Sequence, residues 1–435
     1  MRGYRHHNHS MLATIAAAFC VASSARVHAG NNEHLFGDWN GERTRLSDKG
    51  IDFNLGYDSQ VAHNFRGGTR SVTRYTDQWT AGVTFDFDKL WGWHGASFKW
   101  LMTQRDGRNT GNDAYIGSNQ SVQDLYGRGQ TLHLTVFAFE KKWRDGAVEW
   151  RIGRLPVGRD VAGFSCNFQN LTFCGSQPGN IVGDYWVNWP TSQWATVLKV
   201  KTSDTTYVEA GAYQVNPKYI DNEYARANGW KPDFPSGTTG ALIPVEFGWT
   251  PKLHGLPGIY KLGAWHSSSP GDDLFSDQAG QPLAVSGGTP LQHASRHGAY
   301  IDFKQQVTGE AKGRGLTLFL RAVRADAATS STDRQISAGV EYQAPFGRSH
   351  DAIGFGVGAT HSSDRLVQYQ KLYNQTHTDQ LTVQGRDERA AELFYSWSPV
   401  ASIKVRPNLQ FVHDPGGTAR NRDALVLGVY SSVKF

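Results

Sequence analysis

Apolar and polar residues alternate along most of the chain after residue 50. Ile336, Ala338, Val340 and Tyr342, for example, alternate with small or polar residues. A period of two residues is typical of β-strands whose two faces meet different surroundings. The pattern predicts sixteen strands, near 51–63, 73–87, 95–106, 129–142, 146–154, 191–201, 205–215, 242–250, 259–268, 296–306, 314–325, 334–344, 351–363, 385–397, 401–413 and 422–435.

The connections between these strands alternate in length. One set is mostly short: 141–145, 202–204, 345–350 and 398–400. The interleaved set is often long: 107–128, 155–190, 216–241, 269–295 and 364–384. Short periplasmic turns and longer outside loops are typical of outer-membrane barrels. The pattern therefore predicts an all-β fold, in which residues 51–435 form one transmembrane antiparallel β-barrel of sixteen strands with both termini on the periplasmic side.

The last strand supports the barrel prediction. Leu425, Leu427, Val429 and Val433 share one face with the terminal Phe435, and the other face is mostly small or polar. A final strand that is apolar outside and ends on an aromatic residue is typical of such barrels, and we expect the barrel-assembly machinery to recognise it. Over eleven residues, a half-buried edge strand of a soluble β-protein has the same pattern.

The amino terminus has the features of a cleavable secretory signal. Arg2 and Arg5 precede a short apolar run over 11–22, and residues 27–29 form a small-x-small cleavage site. We therefore expect residues 1–29 to be removed and the mature chain to be exported to the outer membrane of a Gram-negative cell. Residues 30–50 are predicted to form a short helical segment at the periplasmic mouth, ending before Gly50.

Composition excludes two classes of protein. Hydrophobic residues make up only 39% of the chain and mean hydropathy is −0.49, which excludes a membrane protein built from helices. The formal net charge is +5, and removing Arg2, Arg5 and Arg26 leaves +2, which is too balanced for a nucleic-acid-binding protein. An outward barrel face, by contrast, needs an apolar residue only at every second strand position.

Charged residues lie at strand positions opposite apolar neighbours. A lipid-facing surface does not hold charges cheaply, so we predict that these side chains line a water-filled lumen and set its selectivity. The residues placed in this way are Lys99, Arg105, Glu149, Arg151, Arg321, Glu341, Glu392, Lys404 and Arg406.

The connection after the fifth strand is the third outside loop, and we expect it to fold into the lumen and narrow it. Its polar residues Arg154, Arg159, Asp160, Asn167 and Gln169 are candidates for contact with solutes. Cys166 and Cys174 form either a disulfide that stiffens this loop or two free thiols. Six aromatic residues offer flat faces for stacking on sugar rings, or simply pack the loop. They are Phe164, Phe168, Phe173, Tyr185, Trp186 and Trp189.

Enzyme and metal signatures are absent from the sequence. It contains no Gly-x-Ser-x-Gly elbow, no phosphate-binding loop of the Gly-x-x-x-x-Gly-Lys-Ser/Thr type and no His-Glu-x-x-His motif. The histidines lack metal-ligand spacing. We therefore expect no cofactor, no metal and no enzymatic activity, although paired carboxylates of a glycosidase leave no sharp signature.

Three segments resemble the carbohydrate-selective porins of the OprB family. These are the segment from Leu35 to Ile51, the run Gly153-Arg-Leu-Pro-Val-Gly-Arg-Asp160, and the loop from Cys166 to Gly175. The resemblance implies a sixteen-stranded outer-membrane channel for passive uptake of glucose-like sugars or polyols, surrounded by outer-membrane lipid and lipopolysaccharide. A general diffusion porin, an outer-membrane enzyme and a secreted sugar-binding protein are the alternatives. Replacing Arg151 or Arg154 with Ala is predicted to alter channel conductance or its block by sugar.

Overall fold

The computed structural model describes residues 33–311 and 314–435. The predicted signal peptide, 1–29, lies outside the described residues. Sixteen long strands are numbered here in chain order. They are β1 Ile51–Arg66, β2 Thr73–Asp86, β3 Ala96–Gly107, β4 Leu132–Trp143, β5 Val148–Leu155, β6 Gln193–Lys201, β7 Thr206–Val215, β8 Gly240–Trp249, β9 Leu256–Ser267, β10 Arg296–Gln306, β11 Gly315–Ala325, β12 Thr332–Gln343, β13 Ala352–Ser362, β14 Asp387–Val400, β15 Ile403–His413 and β16 Ala424–Lys434.

The sixteen strands form a closed antiparallel barrel. Each strand pairs with the next along the chain, and β1 also pairs with β16, so that Tyr57 lies opposite both Trp79 and Val433. The predicted strand number and closed fold are confirmed. Many strand boundaries differ from the predicted ones by one to three residues. β2, for example, ends at Asp86, whose side chain accepts hydrogen bonds from the backbone N–H of Asp88 (3.0 Å) and Lys89 (3.3 Å) and so begins a short helix.

The two faces of the barrel wall differ as the alternation predicts. On β15, Asn408 and Gln410 point inward and are buried, while Leu409 and Phe411 point outward and are 44% and 41% exposed. An apolar outward face is stable only against lipid, because exposed apolar surface is unfavourable in water. The long connections all lie at one end of the barrel, named here the long-loop end. The other end is the short-turn end.

Helices are short and lie before β1 or in the connections between strands. They are Glu42–Asp48, Phe87–Trp91, Thr110–Asp113, Val157–Asp160, Gln177–Ile181, Asn222–Asn228, Leu283–Ser286 and Asp364–Thr376, with 3-10 turns at Trp39–Gly41, Pro217–Tyr219, Pro345–Gly347 and Pro415–Gly417. Two short strands, Gly271–Asp277 and Pro290–His293, pair in the loop after β9, and Lys252–Leu253 pairs with the start of β9. Among the described residues, no helix has the length and apolar character needed to cross a bilayer.

Two outer loops are joined by the carboxylate of Asp273. It accepts hydrogen bonds from His293 (2.8 Å), in the same loop, and from Arg365 (2.5 Å), in the helix Asp364–Thr376. Burial alone would raise the pKa of Asp273, but the hydrogen bonds from Arg365 and His293 lower it below its usual value. A carboxylate with a lowered pKa keeps its charge through the neutral range and loses it only in acid, so the ion pair between Asp273 and Arg365 persists near neutral pH.

The amino-terminal segment binds the carboxyl-terminal residue at the short-turn end. The Leu35 N–H donates to the carbonyl of Lys434 (2.7 Å), and Arg43 Nη2 donates to the terminal oxygen of Phe435 (2.7 Å). His34 Nδ1 lies 2.9 Å from the same oxygen, and the ring of Phe36 packs on that of Phe435 at 5.2 Å. The predicted helix is present as Glu42–Asp48, and the segment covers the seam between β1 and β16.

Replacing Arg43 with Ala is expected to destabilise the folded barrel by about 1–2 kcal/mol, because the hydrogen bond to the Phe435 oxygen is lost. Thermal unfolding followed by the heat-dependent shift in gel mobility measures this change. Arg45→Ala is the matched control. Among residues 33–311 and 314–435, the Arg45 side chain pairs with Glu42 alone (2.6 Å), on the exposed helix surface, so its loss should leave unfolding unchanged. Equal unfolding temperatures for Arg43→Ala and the wild type would contradict a stabilising role for the contact with Phe435.

Candidate constriction site

The connection between β5 and β6, residues 156–192, lies inside the barrel and is named here the lumen loop. Its apolar side packs against inward residues of the wall. Phe168 contacts the rings of Phe319 on β11 (5.6 Å between centroids) and Phe394 on β14 (5.0 Å), and Phe173 packs beside it at 4.9 Å. Burial of these rings gives the loop an apolar base on the wall.

Buried carboxylates of the wall accept hydrogen bonds from backbone N–H groups of the lumen loop. Glu246 on β8 accepts from the N–H of Ala162 (2.7 Å), and Glu392 on β14 accepts from Gln169 (2.8 Å) and Asn170 (2.7 Å). Most of the loop has no helical or sheet partner for its backbone, and a buried N–H without a partner is costly. The carboxylates therefore replace the secondary structure that the loop lacks.

Basic side chains of the wall satisfy carbonyl groups of the same loop. Arg321 on β11 donates to the carbonyl of Phe173 (3.1 Å), and Lys261 on β9 donates to that of Gly163 (2.6 Å). Arg406 on β15 donates to the carbonyl of Asn167. Arg321 also pairs with Asp302 at 3.2 Å, so its charge is compensated within the wall. The carboxylates and the basic side chains on strands β8 to β15 together hold the lumen loop against the barrel wall.

The start of the lumen loop is held by a cluster of charges around Arg151 on β5. Its guanidinium donates to Asp160 in the loop and to Glu209 on β7, and its Nε lies 3.1 Å from Glu149. The side chains of Asp160 and Glu209 are almost fully buried. Tyr213 completes the cluster by donating to Asp160 (3.0 Å). The arrangement fixes the point where the chain leaves the wall and enters the lumen.

The tip of the lumen loop is closed by a disulfide between Cys166 and Cys174, whose Cα atoms are 5.3 Å apart. Of the two states left open by the sequence, the structure therefore contains the disulfide. Asn167 within this closed ring donates to Glu341 on β12 (2.8 Å). The tip also pairs with the loop after β3, since the N–H of Leu171 donates to the carbonyl of Ser121 (2.8 Å). Two loops thus form one continuous layer on the lumen wall.

A second set of basic residues remains open to the lumen. Arg159, in the lumen loop, is exposed, and the inward-facing Lys99, Lys304 and Lys404 are half-buried. Lys304 Nζ lies 3.2 Å from Ser165 Oγ, which places it beside the edge of the lumen loop. Lys99, Lys304 and Lys404 all lie close to the short-turn ends of their strands. These side chains can donate hydrogen bonds to a passing solute.

The sequence-predicted site residues fall into two groups. Lys99, Glu149, Arg159 and Asn167 keep accessible surface in the lumen. The others are nearly inaccessible to solvent, and most of them lie beneath or within the lumen loop. The expectation that they contact solutes directly is therefore corrected. They are Arg105, Arg151, Arg154, Asp160, Gln169, Arg321 and Glu341. A charge facing inward on a strand is open to water only where no loop covers it.

Two of the buried arginines lie toward the long-loop end. Arg154 donates to the carbonyl of Ser192 (2.9 Å), and its guanidinium lies over the ring of Tyr219 at 4.8 Å. Arg105 donates to Gln78 on β2 (2.9 Å). Neither contacts the tip of the lumen loop. The structure therefore assigns Arg154 and Arg151 to different parts of the channel, although the same effect is predicted for both from the sequence.

The expectation that six loop aromatics offer free faces to sugars is wrong for four of them. Phe168, Phe173, Tyr185 and Trp186 are at most 3% exposed. The Phe164 ring lies 3.2 Å from the Arg321 guanidinium, and Trp189 donates its indole N–H to Gln78 (3.0 Å). The alternative interpretation, that these rings pack the loop, holds because a docked loop needs an apolar core of its own.

Sequence reasoning missed Glu246, Lys261 and Lys304. Glu246 lies between Val245 and Phe247, which are both exposed on the outer face, so strand alternation alone places it inward. It also accepts hydrogen bonds from Tyr207 (2.8 Å) and Tyr300 (2.7 Å), contacts that join residues distant in sequence. The alternation of apolar and polar residues along β8 was the signal in the sequence that could have identified Glu246. The partners were not predictable without the fold.

A possible metal-ligand set among the described residues is His413, Asp414 and Asp423, at the long-loop end, with ligand atoms within 4.8 Å of one another. These side chains already pair with one another and with Arg386. Asp423 lies 2.9 Å from His413 Nδ1, and Asp414 pairs with Arg386 (3.1 Å). The internal contacts account for the cluster, and no metal function is assigned to it.

A closed sixteen-stranded barrel with an apolar outer face and a loop held inside its lumen defines a porin of the Gram-negative outer membrane. Residues 70–435 match the family model described as carbohydrate-selective porin, OprB family. The chain is 40% identical over 433 residues to Porin B of Pseudomonas aeruginosa, covering 95% of this chain and 94% of that protein. It is 32% identical over 429 residues to the putative porin QuiX of Acinetobacter baylyi, covering 93% and 94%.

The fold agrees with that of a solved relative. The high-pH structure of OprB from Pseudomonas putida superimposes with a TM-score of 0.89 at 40% identity and covers 93% of this chain and 98% of that one. The chain belongs to the OprB family of carbohydrate-selective porins. It is a sugar-selective porin of the outer membrane, as the resemblance in its sequence implied.

Proposed function

We propose that the lumen loop forms the selective constriction of this porin, and that glucose-like sugars or polyols cross it by passive diffusion. The observation that carries the proposal is the set of buried charges from β8 to β15 that bind the loop backbone inside the lumen. A loop with this many fixed contacts keeps one shape during permeation. A fixed shape is what discrimination among solutes of similar size requires.

Solute contact is assigned to the accessible polar side chains rather than to the buried ones. Lys99, Arg159 and Lys304 present N–H donors to the open lumen, and Asn167 adds an amide at the loop tip. Sugar hydroxyls accept and donate hydrogen bonds, so these groups replace part of the hydration shell of a sugar as it passes. The buried Arg151, Asp160, Gln169, Arg321 and Glu341 then act by positioning the loop.

The orientation of the barrel follows from its connections. The long-loop end faces the outside, and the short-turn end, with the segment around Glu42–Asp48, faces the periplasm. Residues 1–29 direct export and are removed, and the assembly machinery recognises β16 and its terminal Phe435. Outer-membrane lipid surrounds the outer face. The proposed transport includes no chemical step, and solutes leave unchanged.

Liposome swelling with sugars and polyols of matched size tests the selectivity. We expect uptake rates that differ among solutes of equal size, and a reduced preference for hexoses in Lys304→Ala, which loses a donor beside the lumen loop. Lys252→Ala is the matched control, since Lys252 lies in an exposed turn outside the lumen and should behave as the wild type. Rates that follow molecular size alone, in all three proteins, would favour a general diffusion pore.

A further inference from the structure

A cavity of about 490 Å³ lies on the outer, lipid-facing side of the barrel near the long-loop end. Its floor is made by outward residues of four neighbouring strands: Ile301 on β10, Ala322 on β11, Ile336 on β12 and Ala359 on β13. These four residues are cross-strand partners in one row of the sheet. The two alanines alternate with the two isoleucines, so the small side chains leave an apolar furrow between the large ones.

Basic residues border this furrow on the side of the long loops. The next row of cross-strand partners contains Arg324, Arg334 and His361, all three lining the cavity, followed by Asp387. Arg389 lies beside Ala359 in the row of the floor. Arg324 and Arg334 face each other directly, although like charges at opposed positions of a sheet are unfavourable. A row of this kind is stabilised when an anion lies between the charges.

The cations of the border differ in how far they are already paired. Arg334 lies 3.5 Å from Asp333 and 2.8 Å from His361. Arg324 and Arg389 are exposed, and within the described part of the chain neither has an ion-pair partner. The acid that lines the cavity is Asp387. Arg324 and Arg389 therefore leave a net positive charge above an apolar surface.

We propose that this furrow and its basic border bind lipid A, the phosphorylated acyl glycolipid that anchors lipopolysaccharide in the outer leaflet. The long-loop end of a porin lies at the outer surface, so the furrow is at the depth of the outer-leaflet acyl chains and its border is at the depth of the headgroups. Phosphate complements Arg324 and Arg389, and basic pockets beside apolar membrane surface are typical lipid-headgroup sites. An acyl chain fills the furrow between Ile301 and Ile336.

The full chain, purified in detergent and freed of lipid, is tested by native mass spectrometry with bisphosphorylated hexa-acyl lipid A as the probe. We expect a retained stoichiometric lipid, and a loss of affinity on the order of 10-fold or more when Arg324→Glu and Arg389→Glu are combined. Arg66→Glu is the matched control, since Arg66 is exposed at the long-loop end of β1, away from the furrow. It should bind lipid A as the wild type does.

A second double variant tests the furrow independently of its basic border. It keeps the proposal testable if the double arginine variant does not fold. Ala322→Phe with Ala359→Phe fills the furrow without changing charge, and it should also weaken binding while sugar uptake stays unchanged. Dephosphorylated lipid A and phosphatidylglycerol should bind more weakly than lipid A. The proposal is overturned if Arg66→Glu and the double arginine variant lose affinity equally, if the filled furrow binds normally, or if phosphatidylglycerol binds as tightly as lipid A.

Discussion

Glu392→Ala is expected to widen the channel and reduce its discrimination among sugars. The change leaves the N–H groups of Gln169 and Asn170 without the acceptor that they have now at 2.8 and 2.7 Å. Each hydrogen bond to a buried charge contributes about 1.5–3 kcal/mol, so docking of the loop tip loses about 3 kcal/mol or more. Single-channel recording in planar bilayers should show a larger and less uniform conductance, with weaker block by hexoses.

Glu388→Ala is the matched control for this experiment. Glu388 is a buried carboxylate on the same strand, and it accepts hydrogen bonds from the N–H groups of Gln120 (3.0 Å) and Gly416 (2.7 Å) in two other loops. Its loss should loosen the outer mouth and change the constriction less than the loss of Glu392, because Glu388 holds loops beside the lumen loop and not the lumen loop itself. If the two variants change conductance equally, or if Glu392→Ala conducts as the wild type does, Glu392 has no special role in holding the lumen loop.

Arg151→Ala is expected to have the second large effect. It removes the cation shared by Glu149, Asp160 and Glu209, and two of these carboxylates are almost fully buried. Removing one partner of a buried ion pair typically costs about 3–5 kcal/mol, because the remaining charge has no compensation. We expect a lower unfolding temperature, and an altered conductance because the start of the lumen loop is no longer fixed to β5.

Two comparisons make the Arg151 result specific. Arg151→Lys keeps the charge but not the forked geometry, and it should restore part of the stability and conductance. Arg154→Ala should change the outer mouth through Ser192 and Tyr219 without the same change in sugar block. An Arg154→Ala variant that reproduces the conductance and block of Arg151→Ala would show that the two arginines act on the channel in the same way.

The barrel was predictable because its signal is local. Each strand alternates in sequence, as in Leu425, Leu427 and Val429 on one face of β16, and each short turn limits the pairing of its neighbours. Alternation also placed Arg321, Glu341 and Glu392 on the inner face. The structure agrees with the sequence prediction at these positions because strand phase alone decides the direction of a side chain.

Burial of the site residues was not predictable in the same way. Whether Glu341 meets water or protein depends on Asn167, which is 174 residues away along the chain. The same aromatic residue types suit a loop that contacts sugars and a loop that packs against the wall. The sequence therefore left both interpretations open for Phe168 and Trp186. The docking of a long loop is decided by contacts between distant segments, and a local pattern does not contain them.

Sugar selection by this porin depends on the lumen loop being the constriction. The direct measurement compares hexose block of single-channel current in the wild type with that in a variant whose residues 164–174 are replaced by a glycine-serine segment of equal length. We expect a small, hexose-sensitive conductance in the wild type and a larger, hexose-insensitive conductance in the variant. Equal conductance and equal block in the two proteins would show that the lumen loop is not the constriction.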